Sequence, residues 1–221
     1  MDNRASKFTE TKIRLASALF AGECGGSYSE AVMVLSSTLS GMASLAWKGL
    51  GIDHNRFAEV LIKYASAHPH PSTISLPLLV RDLDSSEFSE CGSILRRRFL
   101  NFDEAQILLG DDVDQTEEMI LSICSTLPLW RVRRSSYASL LYSEVRSGYV
   151  HEYQTGERAD PQPMTARPAG ISYNNWLVGP HRRIVFHFPW LVDCAASVAQ
   201  SIDKISHLPL DQPSTWWLEG K

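Results

Sequence analysis

Residues 27–47, SYSEAVMVLSSTLSGMASLAW, decide the fold class. Ala31, Val34, Leu35, Thr38, Leu39, Met42 and Leu45 recur at the three- and four-residue spacing of one helix face. Ser27 stands at its head with Glu30 three residues on. A serine hydroxyl there accepts a first-turn amide while the glutamate reaches back, which is a capping box. Gly25 and Gly26 separate this helix from an Ala-, Leu- and Ile-rich stretch that predicts an earlier one, from about Lys12 to Glu23. Ser36, Ser37, Ser40, Gly41, Ala43 and Ser44 are small enough to let a neighbouring helix come close.

Outward from this segment the pattern stays helical. Asp53 follows the turn KGLGI and can cap a third helix with Phe57, Val60, Leu61 and Tyr64 on one face. The stretch HPHPST ends it, because proline removes a donor and clashes with the turn before it. Shorter helices are predicted near Leu76–Asp84 and Ser86–Leu100, then an acidic loop over Gly110–Thr116. A helix from Thr116 to Ser125 and a longer one from about Arg134 to Tyr149 come next. Residues 154–170 are rich in Gly, Pro and polar side chains and read as a surface loop. The β-branched and aromatic run ISYNNWLVGPHRRIVFHF, with Gly179-Pro180 in its middle, reads as a two-stranded hairpin. A last helix starts near Pro189 and runs to about Ser206, followed by an irregular tail. The expectation is a mainly α bundle over residues 1–221, one domain, with a loop and hairpin inserted at about 154–189.

Bulk properties narrow the function. The chain has 221 residues, 44% of them hydrophobic and 21% charged, which suits a folded globular protein and not a disordered one. The formal charge of −4 excludes a broadly basic nucleic-acid binder, so any RNA contact must come from a local patch. Cys24, Cys91, Cys124 and Cys194 are too scattered for a zinc motif and read as free thiols in a reducing cytosol. The opening MDNRASKFTETK lacks the apolar core of a signal peptide, and no window reaches the ~18–20 apolar residues of a membrane span. A cytoplasmic protein without membrane contact is expected. No Gly-rich phosphate loop, GxSxG elbow or HExxH helix is present, and no cofactor or metal is expected.

The segment that carries chemistry is SSYASLLYSEVRSGYVHEYQ, residues 135–154, with Arg146, His151 and Tyr153 in the pattern R-x4-H-x-Y. It resembles the signature of HEPN domains, helical proteins whose arginine–histidine motif cuts RNA without a metal. The fuller pattern is similar to the HEPN toxins that pair with a minimal nucleotidyltransferase. The resemblance covers about 20 residues. It implies a helical bundle and a homodimer in which two motifs face one cleft. It also implies a toxin or anti-phage effector, and a nucleotidyltransferase-type antitoxin that attaches nucleotides at Tyr153.

The residue types suit that chemistry. The ribose 2′-hydroxyl is an internal nucleophile, and histidine titrates where it can act as base or acid. A guanidinium holds the phosphate and stabilises the charge that grows on it. On an ideal helix Arg146 and His151 point about 140° apart, so they do not share a face. Ser147 and Glu152 flank the motif in supporting positions. Glu144 and Glu152 read first as exposed helix carboxylates and second as orienting partners of His151. Arg131, Arg133 and Arg134 precede the motif and are candidates to guide RNA, against a solvated helix start. Arg96, Arg97 and Arg98 read as a solvated face, His68 and His70 as loop residues, and Trp216 and Trp217 as a docked tail. Arg182 and His187 repeat the spacing but fall in a predicted strand and read as structural. The alternative from another class is a non-catalytic HEPN-like module that binds a nucleotide or a protein partner.

Overall fold

Ser27 does start the second helix. Its hydroxyl accepts from the Ser29 amide at 3.2 Å and donates to the Glu30 carboxylate. The computed structural model describes residues 3–100, 106–152, 154–160, 170–174 and 182–220, leaving aside the Cys24 side chain. The first helix, α1 (Arg4–Phe20), begins well before Lys12 and stops before Glu23. Asp203 explains the early start, since its carboxylate accepts from the Ala5 and Ser6 amides at 2.9 Å each. No local pattern near residue 4 could announce a cap supplied from the far end of the chain. Helices α2 (Tyr28–Ala46) and α3 (Asp53–Tyr64) follow as expected. Asp53, however, sits inside the first turn and pairs with Arg56.

Helix α4 (Leu76–Asp84) has its predicted bounds, and α5 (Ser89–Phe99) starts a little late. The acidic segment expected as a loop is instead structured. It carries a single turn, α6 (Gly110–Val113), directly after strand β1 (Leu108–Leu109). Helices α7 (Glu117–Ile123) and α8 (Leu129–Arg133) come next. Thr116 caps α7 by accepting from the Met119 amide at 3.3 Å. Strands β2 (Ile171–Asn174) and β3 (Arg183–Phe186) form the predicted antiparallel hairpin. It is not two-stranded: β1 pairs with β2 and makes a three-stranded sheet in the order β1-β2-β3. A third strand helps because a lone hairpin is marginal in water. The hairpin's Gly-Pro turn lies outside the described residues. Helix α11, Phe188–Ile202, closes the fold with proline in its first turn.

The long helix of the motif is continuous but irregular. It runs as α9 (Tyr137–Leu140), a π-helical turn (Leu141–Arg146) and α10 (Ser147–Glu152). The expected start near Arg134 moves to Tyr137 because the Ser136 hydroxyl caps it, accepting from the Ser139 amide at 3.3 Å.

Two apolar clusters result. The larger joins α1, α2, α3, the motif helix, the sheet and α11, with Trp47, Trp190, Tyr137 and Phe186 fully buried. The smaller lies between α4, α5, α7 and α8, centred on Leu79, Leu83, Leu95 and Ile120. The tail docks on the larger one: buried Trp216 meets the edge of Trp47 at 5.7 Å. Among the described residues no helix is long and apolar enough to cross a membrane.

Candidate active site

The motif helix has one packed side. Tyr137, Glu144, Val145, Gly148 and Tyr149 are buried. Glu144 is not the exposed carboxylate that its helical position suggested. Arg158 donates to its Oε1 through Nε at 2.9 Å and Nη2 at 2.7 Å, and to Asp82 Oδ2 through Nη1 at 2.8 Å. The Glu144 carbonyl also accepts from the Gly156 amide at 2.6 Å. Residues 154–160, read as open loop, are thus folded against the π turn. Their Ala159 bridges alongside Ile184 of β3. The signal missed was Arg158, a lone arginine whose two carboxylates come from elements distant in sequence.

Tyr137 anchors the head of the helix. Its hydroxyl donates to Asp114 Oδ2, as does that of Tyr173 at 2.5 Å, while Asp114 Oδ1 accepts from the Leu76 amide at 2.8 Å. Asp114 is half-buried and has no cation in this set of contacts. Burial outweighs the three donors and pushes its carboxyl up to about 7.

The other side of the helix carries the motif. Arg146 is half-buried, with its guanidinium over the Tyr142 ring at 5.2 Å. Among the described residues no carboxylate pairs with it: Glu144 is held by Arg158 and Asp53 by Arg56. It borders a recess of about 30 Å³ with Ser40, Ser44, Asp53 and Arg56. The Ser40 hydroxyl there is buried without a partner. His151 is exposed, with no hydrogen bond among the described residues. Ser147 is half-buried, and Glu152 is exposed and accepts from Gln154 Nε2 at 3.5 Å. Tyr153 lies outside the described residues. Arg146 and His151 are therefore neighbours in sequence that share no contact within one protomer. Arg146 is the last residue of the π turn and His151 lies beyond it in α10, so the 140° of an ideal helix applies approximately to them.

The three upstream arginines have different surroundings. Arg133 donates to Glu117 Oε2 at 2.6 Å and to the Trp217 carbonyl at 2.6 Å, which commits it to holding the tail. Arg131 lies over Phe88 and Trp130, with Glu87 at 3.8 Å. Arg134 lies over Trp130 at 5.0 Å and borders a cavity of about 350 Å³ with His54, Asn55, Trp130, Leu218 and Glu219. His54 stacks on Tyr142 with ring centroids 4.6 Å apart, and burial with the Arg134 charge pushes its imidazole down to about 4. Nothing in the sequence joined His54 to the motif, since the two lie on helices far apart in the chain. A larger cavity, about 570 Å³, opens on the packed side beside Tyr149, whose hydroxyl donates to Ser29 Oγ at 2.9 Å.

The remaining residues singled out from sequence have local partners. Arg96, Arg97 and Arg98 are exposed, Arg96 pairing with Asp84. His187 meets Ser172 Oγ at 2.9 Å, and Arg182 donates to the Gln106 carbonyl. His70 meets Ser72 Oγ at 2.7 Å, and His68 is exposed. Cys91, Cys124 and Cys194 are free thiols. Among the described residues no three His, Cys, Asp or Glu side chains are grouped to hold a metal. Set against known proteins, the chain matches no family model, no curated protein and no solved structure.

Proposed function

We propose that the protein is a metal-independent endoribonuclease that works as a homodimer in the cytoplasm, as a toxin or anti-phage effector. His151 is the general acid or base for attack by the 2′-hydroxyl, and Arg146 holds the scissile phosphate. The observation that supports this most is the freedom of both side chains. Glu144, the nearest carboxylate in sequence to Arg146, is taken by Arg158, and His151 is open to solvent. An arginine stacked on tyrosine keeps its charge and several donors for a phosphate.

Arg146 and His151 diverge within one protomer, so the reaction needs a second copy to complete the cleft. A nucleotidyltransferase-type partner acting at Tyr153 belongs to the same proposal. One observation favours the rival, a non-catalytic nucleotide- or protein-binding module, in its protein-binding form. The recess beside Arg146 holds about 30 Å³, too little for a phosphate without a second wall or rearrangement.

Incubation of a mixed RNA pool in EDTA decides between them. Cleavage by the wild type that is lost in His151→Ala and Arg146→Ala establishes the nuclease. Intact RNA after incubation with a folded, dimeric wild type sinks it. A monomer at all accessible concentrations removes the composite site.

A further inference from the structure

The cavity between α3, α8 and the tail has the chemistry of a nucleotide site. Trp130 is 39% exposed at the cavity wall, and Arg134 lies over it at 5.0 Å. Bases stack on both indole and guanidinium planes, and a guanidinium also meets a phosphate. At the rim, Asn55 Nδ2 donates to Glu219 Oε1 at 2.6 Å. That bond fixes the carboxylate and leaves Glu219 Oε2 and Asn55 Oδ1 as acceptors. The volume of about 350 Å³ lies within the ordinary range of small-ligand pockets.

The lining is polarised. A phosphate is repelled by Glu219 and attracted by Arg134, so the phosphate end belongs at the arginine. The base edge then meets Asn55 and Glu219. Glu219 Oε2 and Asn55 Oδ1 together accept two N–H groups only from a base that offers two adjacent donors. Guanine does so through its ring N–H and exocyclic amine; uracil offers a single ring N–H. The wall behind this edge is His54, neutral at physiological pH, held to Ser139 Oγ at 3.1 Å and stacked on Tyr142. Arg146 lies over that same Tyr142 ring. The Tyr142 ring therefore touches both the pocket wall and the guanidinium assigned to the scissile phosphate.

We infer that this cavity binds a guanine nucleotide of the RNA strand, with the base against Trp130, Asn55 and Glu219 and its phosphate on Arg134. The assignment of that nucleotide to a strand being cut rests on the ribonuclease reading; the binding of the nucleotide does not. The tail is part of the site, because Leu218 and Glu219 line it and Arg133 fixes it through the Trp217 carbonyl.

Titration calorimetry with the four 5′-monophosphates on the full chain tests the site. GMP binds most tightly and UMP most weakly. Trp130→Ala and Arg134→Gln each weaken GMP about tenfold or more. Glu219→Gln, at an exposed position, narrows the gap between GMP and UMP while leaving the fold intact. His151→Ala leaves all four affinities unchanged. Failure of every monophosphate to bind at millimolar concentration overturns the assignment, as does GMP affinity unaltered in both Trp130→Ala and Arg134→Gln. Binding with this pattern but no RNA cleavage sinks the nuclease alone; cleavage with no monophosphate binding sinks the pocket alone.

Discussion

The two sides of the helix over residues 137–152 solve opposite problems with similar residues. On the packed side a carboxylate, Glu144, is 7% exposed and is matched by two donors of Arg158. On the other, an arginine, Arg146, has only an aromatic face against it, and a histidine, His151, has no partner among the described residues. A buried charge left alone costs several kcal/mol, about 3–5, so the packed side must be satisfied for the chain to fold. The open side carries no such demand. Its groups keep charge and hydrogen-bonding capacity in reserve, which is what a ligand would draw on. The comparison separates stability from activity along a single helix, and substitutions on each side should move one and not the other.

The largest expected effect is on the open side. His151→Ala lowers RNA cleavage by about 10²–10⁴-fold, the usual loss for a general acid or base. Its unfolding free energy stays within about 0.5 kcal/mol of wild type, since an exposed side chain without partners among the described residues holds nothing in place. Urea unfolding beside the cleavage assay checks both. A His151→Ala protein destabilised by more than about 1 kcal/mol would show that the open side also holds the fold.

Next comes Arg158→Ala, which leaves the buried Glu144 carboxylate without its cation and costs about 3 kcal/mol in urea unfolding. Glu144→Gln in the same chain restores part of the loss, because the neutral amide is cheaper to bury. A single-mutant loss below about 1 kcal/mol would mean that water reaches Glu144 and that the packed side is not dry.

The two sides also respond to pH with opposite sign. Asp114, at the head of the packed side, has its pKa raised by burial from 3.8 to about 7. Its contribution is complete below pH 4 and is lost as pH rises through 7, because the native state must then hold a charged carboxylate. His54, under the open side, has its pKa lowered from 6.5 to about 4. Its contribution is complete above pH 6.5 and is lost as pH falls through 4. The two slopes oppose each other between about pH 4 and 7. Asp114→Asn removes the first and should expose a stability that rises with pH across that window, by about 1–2 kcal/mol. A profile that Asp114→Asn leaves unchanged shows that the carboxylate titrates normally.

The two sides were not equally legible in sequence. Helices α2, α3 and α4 could be read because their apolar spacing, and for α2 its Ser27 cap, lies within a few residues. Ser27, Phe57 and Leu76 each announce their element locally. The motif's position on a helix was readable for the same reason. The ion pair of Glu144, Arg158 and Asp82 was not, because it joins three segments that only tertiary folding brings together. The same holds for β1, which is two residues long and exists through its pairing with β2, and for the hydroxyls that converge on Asp114. The cavity of His54, Trp130, Arg134 and Glu219 draws on three stretches of chain, and of these only the arginine stood out beforehand.

The smallest expected effect returns to the packed side, where Ser27 borders the cavity beside Tyr149. Ser27→Ala removes the acceptor for the Ser29 amide and costs about 1 kcal/mol, the usual value for a helix cap. It also removes the hydroxyl that donates to Glu30 and holds that carboxyl below its ordinary value. Glu30 is exposed, so its change is a titration signature and not a stability effect. In an NMR pH titration the Glu30 carboxyl should move up toward the ordinary glutamate range in Ser27→Ala. Tyr149, bonded to Ser29, should stay in place. If Ser27→Ala instead lowers RNA cleavage while Tyr149 keeps its environment, the packed side takes part in catalysis and the division of labour along the helix fails.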